Sequence, residues 1–184
     1  MAGAIKMAPA IVNAYSKLSH AGLSSIAAIM KLDRPVTFND YVQPACLPHP
    51  SHLFAPNEEC HVAGWGHTEW NGIQSDILRD AKVRIISREV CNQEKSYNGT
   101  IHGTAMCAGH PEGRIDACEY DSGGPLVCVK CGRHYVAGLV SWGDQCALPN
   151  KYGVYANMTV LTPWVKEKIS KFERDIAAKA SKNM

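Results

Sequence analysis

No stretch of this chain holds enough uninterrupted apolar residues to cross a bilayer, so a helical membrane span is not expected. Neither sign of charge dominates. With 19 Lys and Arg against 17 Asp and Glu, the net charge of +2 gives no reason to expect nucleic acid or a membrane surface as partner. There is no internal repeat and no low-complexity tract. The 184 residues suit one ordinary domain, or one complete subdomain with part of another. Nor does the start read as a convincing secretory leader. Met1 to Leu32 has no acidic residue, but its apolar residues are scattered among Asn13, Ser16, Lys17, Ser19 and His20, without a compact core or cleavage site. The chain is therefore expected to be a piece of a longer one, whose start falls inside a gene or inside a domain.

What the chain has in quantity is cysteine. Eight in this length point to an oxidising compartment and disulfides, hence to a secreted or extracellular protein. Two Asn-x-Ser/Thr triplets agree, Asn98-Gly-Thr100 and Asn157-Met-Thr159. Asn157 falls in an expected strand, so Asn98 is the candidate glycosylation site.

Short β-like runs recur at even spacing, with glycines and Asn/Asp clusters between them. They are Cys60 to Trp65, Ala81 to Ile86, Ala105 to Ala108, Pro125 to Val129, Tyr135 to Trp142 and Val154 to Met158. Six such runs predict an all-β barrel or sandwich. Ahead of them Ile26 to Leu32 reads as a strand entering a turn at Asp33-Arg34-Pro35, and the proline-rich stretch 41–57 as an extended connector. Ser87 to Glu89 could open a single helical turn before Cys91. At the C-terminus Thr162 predicts an N-cap and Pro163 a first helical position. Val165, Ile169, Phe172 and Ile176 then form one apolar stripe packing on the barrel, with Glu167 and Lys171 as an outer i,i+4 pair.

The chemistry concentrates in Asp116-Ala-Cys-Glu-Tyr-Asp-Ser-Gly-Gly-Pro-Leu-Val-Cys128, which sets Ser122 on a glycine-flanked turn before an apolar strand. Asp-Ser-Gly-Gly alone could be a turn and nothing more. The nucleophile elbow of α/β hydrolases does not fit, because Tyr120 stands where a glycine is needed and no alternating β/α pattern follows. Cys128-Val-Lys-Cys131 with His134 is a lone Cys-x-x-Cys without a second matched pair, and no metal or other cofactor is expected.

From about residue 26 to 170 the chain resembles the trypsin/chymotrypsin family of serine endopeptidases. The resemblance is carried by the Ser122 string and by Cys60-His-Val-Ala-Gly-Trp-Gly66, Met106-Cys-Ala-Gly109, Val140-Ser-Trp-Gly143, Tyr152-Gly-Val-Tyr155 and Thr162-Pro-Trp-Val165, in the family's order. It implies a complete C-terminal six-stranded Greek-key barrel of a double-barrel fold, a remnant of the N-terminal barrel, and a C-terminal helix. The implied divisions are an unassigned 1–25, first-barrel remnant and connector over 26–57, second barrel over 58–160, and helix and tail over 161–184.

The same resemblance makes Ser122 the nucleophile, with the N–H groups of Tyr120 and Ser122 as oxyanion donors. Asp121 would be the carboxylate that accepts a newly made N-terminal ammonium. Asp116 would form the base of a pocket for substrate Arg or Lys, with Ser141, Trp142, Gly143 and Gly153 around it. Tyr152 occupies a position where tyrosine accompanies sodium in some relatives. The implied disulfides are Cys60–Cys128, Cys91–Cys107 and Cys118–Cys146. Cys46 would tie to a light chain or propeptide, and Cys131 is left unpaired. The implied partner is a peptide or protein substrate bearing Arg or Lys, besides a missing first barrel.

Four departures from the family stand out. Its Ala-Ala-His-Cys base motif is absent, and His20 fits it in neither neighbours nor spacing. Ser25 or Ile26 stands where the orienting Asp belongs. No Arg or Lys precedes an Ile-Val-Gly-Gly, since Ile11-Val12 follows Ala10. Tyr120 replaces a glycine. Together these predict a trypsin-like endopeptidase fragment inactive on its own; the alternative is a non-catalytic homologue that binds a peptide or protein.

Overall fold

The computed structural model describes residues 27–182. Expectations placed on segment 1–25, on His20 and on Ser25 or Ile26 lie outside the described residues. Six strands form a closed antiparallel barrel: β1 (Glu59–Gly64), β2 (Arg79–Ile86), β3 (Ala105–Gly109), β4 (Pro125–Lys130), β5 (Arg133–Trp142) and β6 (Gly153–Asn157). Around the barrel the order is β1-β2-β3-β6-β5-β4, so β4 lies beside β1 and the run 4-1-2-3 has Greek-key form. Each strand lies within two residues of the limits its apolar run predicts.

Closure suits these sequences because one face of each strand is apolar and needs cover. Val62, Val83, Ile85, Leu126 and Tyr155 fill the interior together with the half-cystines Cys60 and Cys128. All three implied disulfides are formed, Cys60–Cys128, Cys91–Cys107 and Cys118–Cys146. The first staples β1 to β4 at directly opposed residues. The second joins β3 to α1 (Arg88–Cys91), the expected single turn, whose N-cap Ser87 accepts a hydrogen bond from Val90 N–H.

The connector runs extended past the barrel and clips to β5. Cys46 N–H donates to His134 O at 2.8 Å, and Val136 N–H donates to Cys46 O at 3.0 Å. The Cys46 thiol is free and half-buried; that of Cys131 is free and exposed. Cys131 (φ +50°) and Gly132 (φ +72°) make the two-residue turn between β4 and β5, a shape in which both residues are left-handed.

Three local expectations are corrected. Residues 27–32 form no strand; Ala27 and Ile29 instead pack as extended chain against Leu139, Met158, Leu161 and Val165. The C-terminal helix, α2 (Met158–Lys182), begins four residues before Thr162. Asn157 is its cap, its Oδ1 accepting from Thr159 N–H at 3.0 Å and Oγ1 at 2.7 Å, while Thr162 Oγ1 donates to Met158 O. Pro163 is thus inside the helix, where its missing N–H forgoes one bond close to the helix start. Finally, Glu167 approaches Lys168 at 3.7 Å, and no pairing with Lys171 forms.

The apolar stripe of α2 is covered at its start and open at the two described positions that follow. Val165 is buried, whereas Ile169 and Phe172 are exposed, Phe172 lying under the ammonium of Lys31. Among the described residues no helix is long and apolar enough to cross a membrane. Replacing Asn157 by alanine should cost about 1 kcal/mol through the lost cap, read as a lower urea midpoint at unchanged slope.

Candidate functional site

Ser122 lies between β3 and β4 on a turn closed by local bonds. Asp121 N–H donates to Cys118 O, Gly124 N–H to Asp121 O, and Gly123 N–H to Val140 O. Gly123 takes φ +82°, and a Cβ on Gly124 would stand 2.8 Å from Asp121 O, so both positions need glycine. The turn leaves Ser122 exposed. Among the described residues neither the N–H of Tyr120 nor that of Ser122 donates a hydrogen bond, and Ser122 Oγ has no partner. These two N–H groups and the hydroxyl beside them are thus left available for hydrogen bonding.

Tyr120 itself is left-handed at φ +69° and 69% exposed. A bulky residue there costs roughly 1–2 kcal/mol relative to glycine. Its ring meets the His67 imidazole at 4.8 Å between centroids. The next carboxylate, Asp121, has no cationic partner among the described residues. Its oxygens instead accept from Gly66 N–H at 2.8 Å and Cys118 N–H at 3.0 Å. Two backbone donors thereby offset the burial cost that an unpaired carboxylate would carry.

Asp116 lies deeper. Its oxygens accept from Ala117 N–H at 2.8 Å and Ala147 N–H at 3.2 Å. Burial pushes its pKa up to about 6 against these backbone bonds, and the nearby Asp121 charge adds to the rise. Gly153 faces it so closely that a Cβ would stand 2.6 Å from Asp116 Oδ1. Beside them the hydroxyl of Tyr155 is buried without a partner among the described residues, its pKa held well above the ordinary value chiefly by burial. Cys118–Cys146 ties the Asp116 segment to the loop after β5 that supplies Ala147.

Ser141 is half-buried, while Trp142 and Gly143 are exposed at the end of β5, past an irregularity in its pairing with β6. Two parts of this wall carry no local sequence signal. Tyr97 meets Trp142 edge-on at 5.0 Å and donates its hydroxyl to Tyr152 O at 2.6 Å. Lys151 Nζ lies 2.9 Å from Asp144 Oδ2, donates to Ser96 O at 3.0 Å, and sits over the Tyr97 ring. These contacts join the loop around Tyr97 to the segment 142–152, which also supplies Ala147 to Asp116.

Among the described residues no histidine bonds Ser122. His49 bonds Ser51, His52 stacks on Phe54 and Tyr135, His61 pairs with Asp80, and His110 bonds Lys82 O. Among the described residues His67 meets the Ser122 turn, but through Glu119 and Tyr120 rather than Ser122. Cys128 is bonded to Cys60, so it offers no thiolate to a metal beside Cys131 and His134. Asn98 is exposed in a turn at φ +44°.

Comparison with known proteins agrees with this geometry. The family model described as Trypsin matches residues 11–165. Transmembrane protease serine 11C of Mus musculus is 45% identical over 142 residues, which is 77% of this chain and 33% of that protein. The chain thus spans about a third of that relative's length. A match over most of the length, on a closed six-stranded barrel with three disulfides, establishes that the chain belongs to the trypsin family of serine proteases.

Proposed function

We propose that this chain carries the nucleophile and the primary specificity pocket of a trypsin-like serine endopeptidase that cuts after Arg or Lys. Its hydrolysis requires a base that the described residues do not supply. The observation that carries this is the pairing of a sunken carboxylate, Asp116 under Gly153, with an exposed Ser122 between unbonded N–H groups.

In the acylation step Ser122 Oγ bonds to the scissile carbonyl carbon and its proton passes to the base. The carbonyl oxygen takes the electron pair and is received by the N–H groups of Tyr120 and Ser122. Collapse expels the amine, which takes the proton from the base. No cofactor enters. A serine hydroxyl without a base is a poor nucleophile, so the isolated chain is expected to be inactive.

Within this proposal residues 26–57 end a first barrel and its connector, 58–160 form the second barrel, and 161–184 the helix and tail. Cys46 is the attachment point for a light chain or propeptide, Asn98 carries glycan, and the protein works outside the cell. A peptide or protein bearing Arg or Lys is its substrate.

Treating the isolated chain with a fluorophosphonate should leave Ser122 unlabelled by mass spectrometry. Labelling would refute the missing-base account. A second reading, a non-catalytic peptide binder, is favoured by Ser122 Oγ having no partner among the described residues. It requires that a longer chain bearing an Ala-Ala-His-Cys segment also stay unlabelled, whereas the enzyme reading requires label there.

A further inference from the structure

Tyr120 adopts a left-handed backbone that disfavours an aromatic side chain, at the residue whose N–H is proposed above as an oxyanion donor. Something must hold the turn in that shape. The segment at the end of β1 does so from the other side of the site. Gly66 N–H donates to Asp121 Oδ1, and His67 N–H donates to Glu119 O at 2.8 Å. The His67 side chain is nearly enclosed, with 12% exposure. One edge lies against the Glu119 carboxylate, Nδ1 to Oε2 at 2.9 Å, without the alignment of a hydrogen bond. Its face packs on the Tyr120 ring. Both residues preceding Asp121 are thus gripped by one imidazole.

We propose that His67 and Glu119 are positioning residues. They brace the Glu119–Ser122 turn against the backbone strain at Tyr120, and so hold the Tyr120 and Ser122 N–H groups in place. Neither touches Ser122. A glycine at 120 would relax without help, whereas tyrosine both raises the need for a brace and supplies the ring on which His67 packs. The consequence for catalysis rests on the oxyanion role proposed above. The brace itself concerns only the conformation of the turn.

Hydrogen exchange tests it directly, because three amides report on Asp121. Those of Gly66 and Cys118 bond its carboxylate, and that of Gly124 bonds its carbonyl. His67→Ala should speed their exchange about tenfold, the scale set by the strain at one left-handed residue, and leave Cys107 in β3 unchanged. Adding Tyr120→Gly to His67→Ala should restore protection, which a merely structural loss of His67 packing would not allow. Tyr120→Gly alone should match or exceed the unmodified chain in protection and melting temperature, although it deletes the ring that His67 meets.

Unchanged exchange in His67→Ala would overturn the proposal. So would acceleration that Tyr120→Gly fails to restore, or a fall in protection in Tyr120→Gly alone. If His67→Ala does not fold, Glu119→Gln takes its place, with a smaller acceleration and the same rescue. If the brace behaves as described while the Asp116 recess binds no cation, the functional proposal fails and the brace stands.

Discussion

Benzamidine should bind the isolated chain, and Asp116→Asn should weaken that binding on the order of a hundredfold, as losing a buried, hydrogen-bonded charge partner does. Asn keeps the size of the side chain but removes the charge, so pocket shape is held while the ion pair is lost. The N–H groups of Ala117 and Ala147 orient the carboxylate, and glycine at 153 keeps a side chain from crowding it. A cation entering here meets an anion already stripped of much of its water, where a charge-assisted contact gains most. Calorimetry at millimolar ligand reads both proteins; no binding to the unmodified chain would remove the basis for Arg or Lys specificity.

The pH dependence follows from the same group. The Asp116 carboxyl sits at about 6 in the folded chain against an ordinary 3.8, so between those values the folded state holds more protons than the unfolded state. This contribution is therefore full below about 4 and is lost as pH rises through about 6. Benzamidinium needs the ionised form, so its affinity should climb over the same interval and level off above it. In Asp116→Asn both trends should disappear.

The largest loss of stability is expected on breaking Cys60–Cys128. The bridge closes a loop of 68 residues, worth about 4 kcal/mol in chain entropy, and both half-cystines are fully buried at opposed positions of β1 and β4. Those two strands share only a three-residue pairing, so there is little else at that seam. Cys60→Ala with Cys128→Ala should lower the guanidinium midpoint by that amount or leave the chain unfolded at 37 °C. Near-native stability would show that the barrel closes without its staple.

Much of the barrel was legible because its cues are local. Val62, Val83, Leu126, Val140 and Val154 stand in runs bounded by glycine or Asn/Asp, and a strand's period and its turns are read over a few residues. The helix start was not. Thr162-Pro163 is a good local signal, but Asn157 sits at the end of β6 and caps the helix from there, so burial of Met158 and Leu161 against Ala27 and Leu139 extended it backwards. Ile26 to Leu32 failed for the opposite reason. An apolar run marks burial, and Ala27 is buried, but against a helix and without a strand to pair with.

At the site, the residue string by itself determined the family, the nucleophile candidate, the acid six places before it and the cysteines available for pairing, since these lie within short motifs in fixed order. Only the tertiary structure decided that Tyr120 is left-handed, that His67 and Glu119 hold it, that Asp121 is satisfied by Gly66 and Cys118, and that Lys151 and Tyr97 support Trp142. The physical reason is that strain, desolvation and ion pairing depend on what surrounds an atom in space. Here several of those neighbours come from residues 50 or more positions away, such as Gly66 for Asp121, and no local pattern records them.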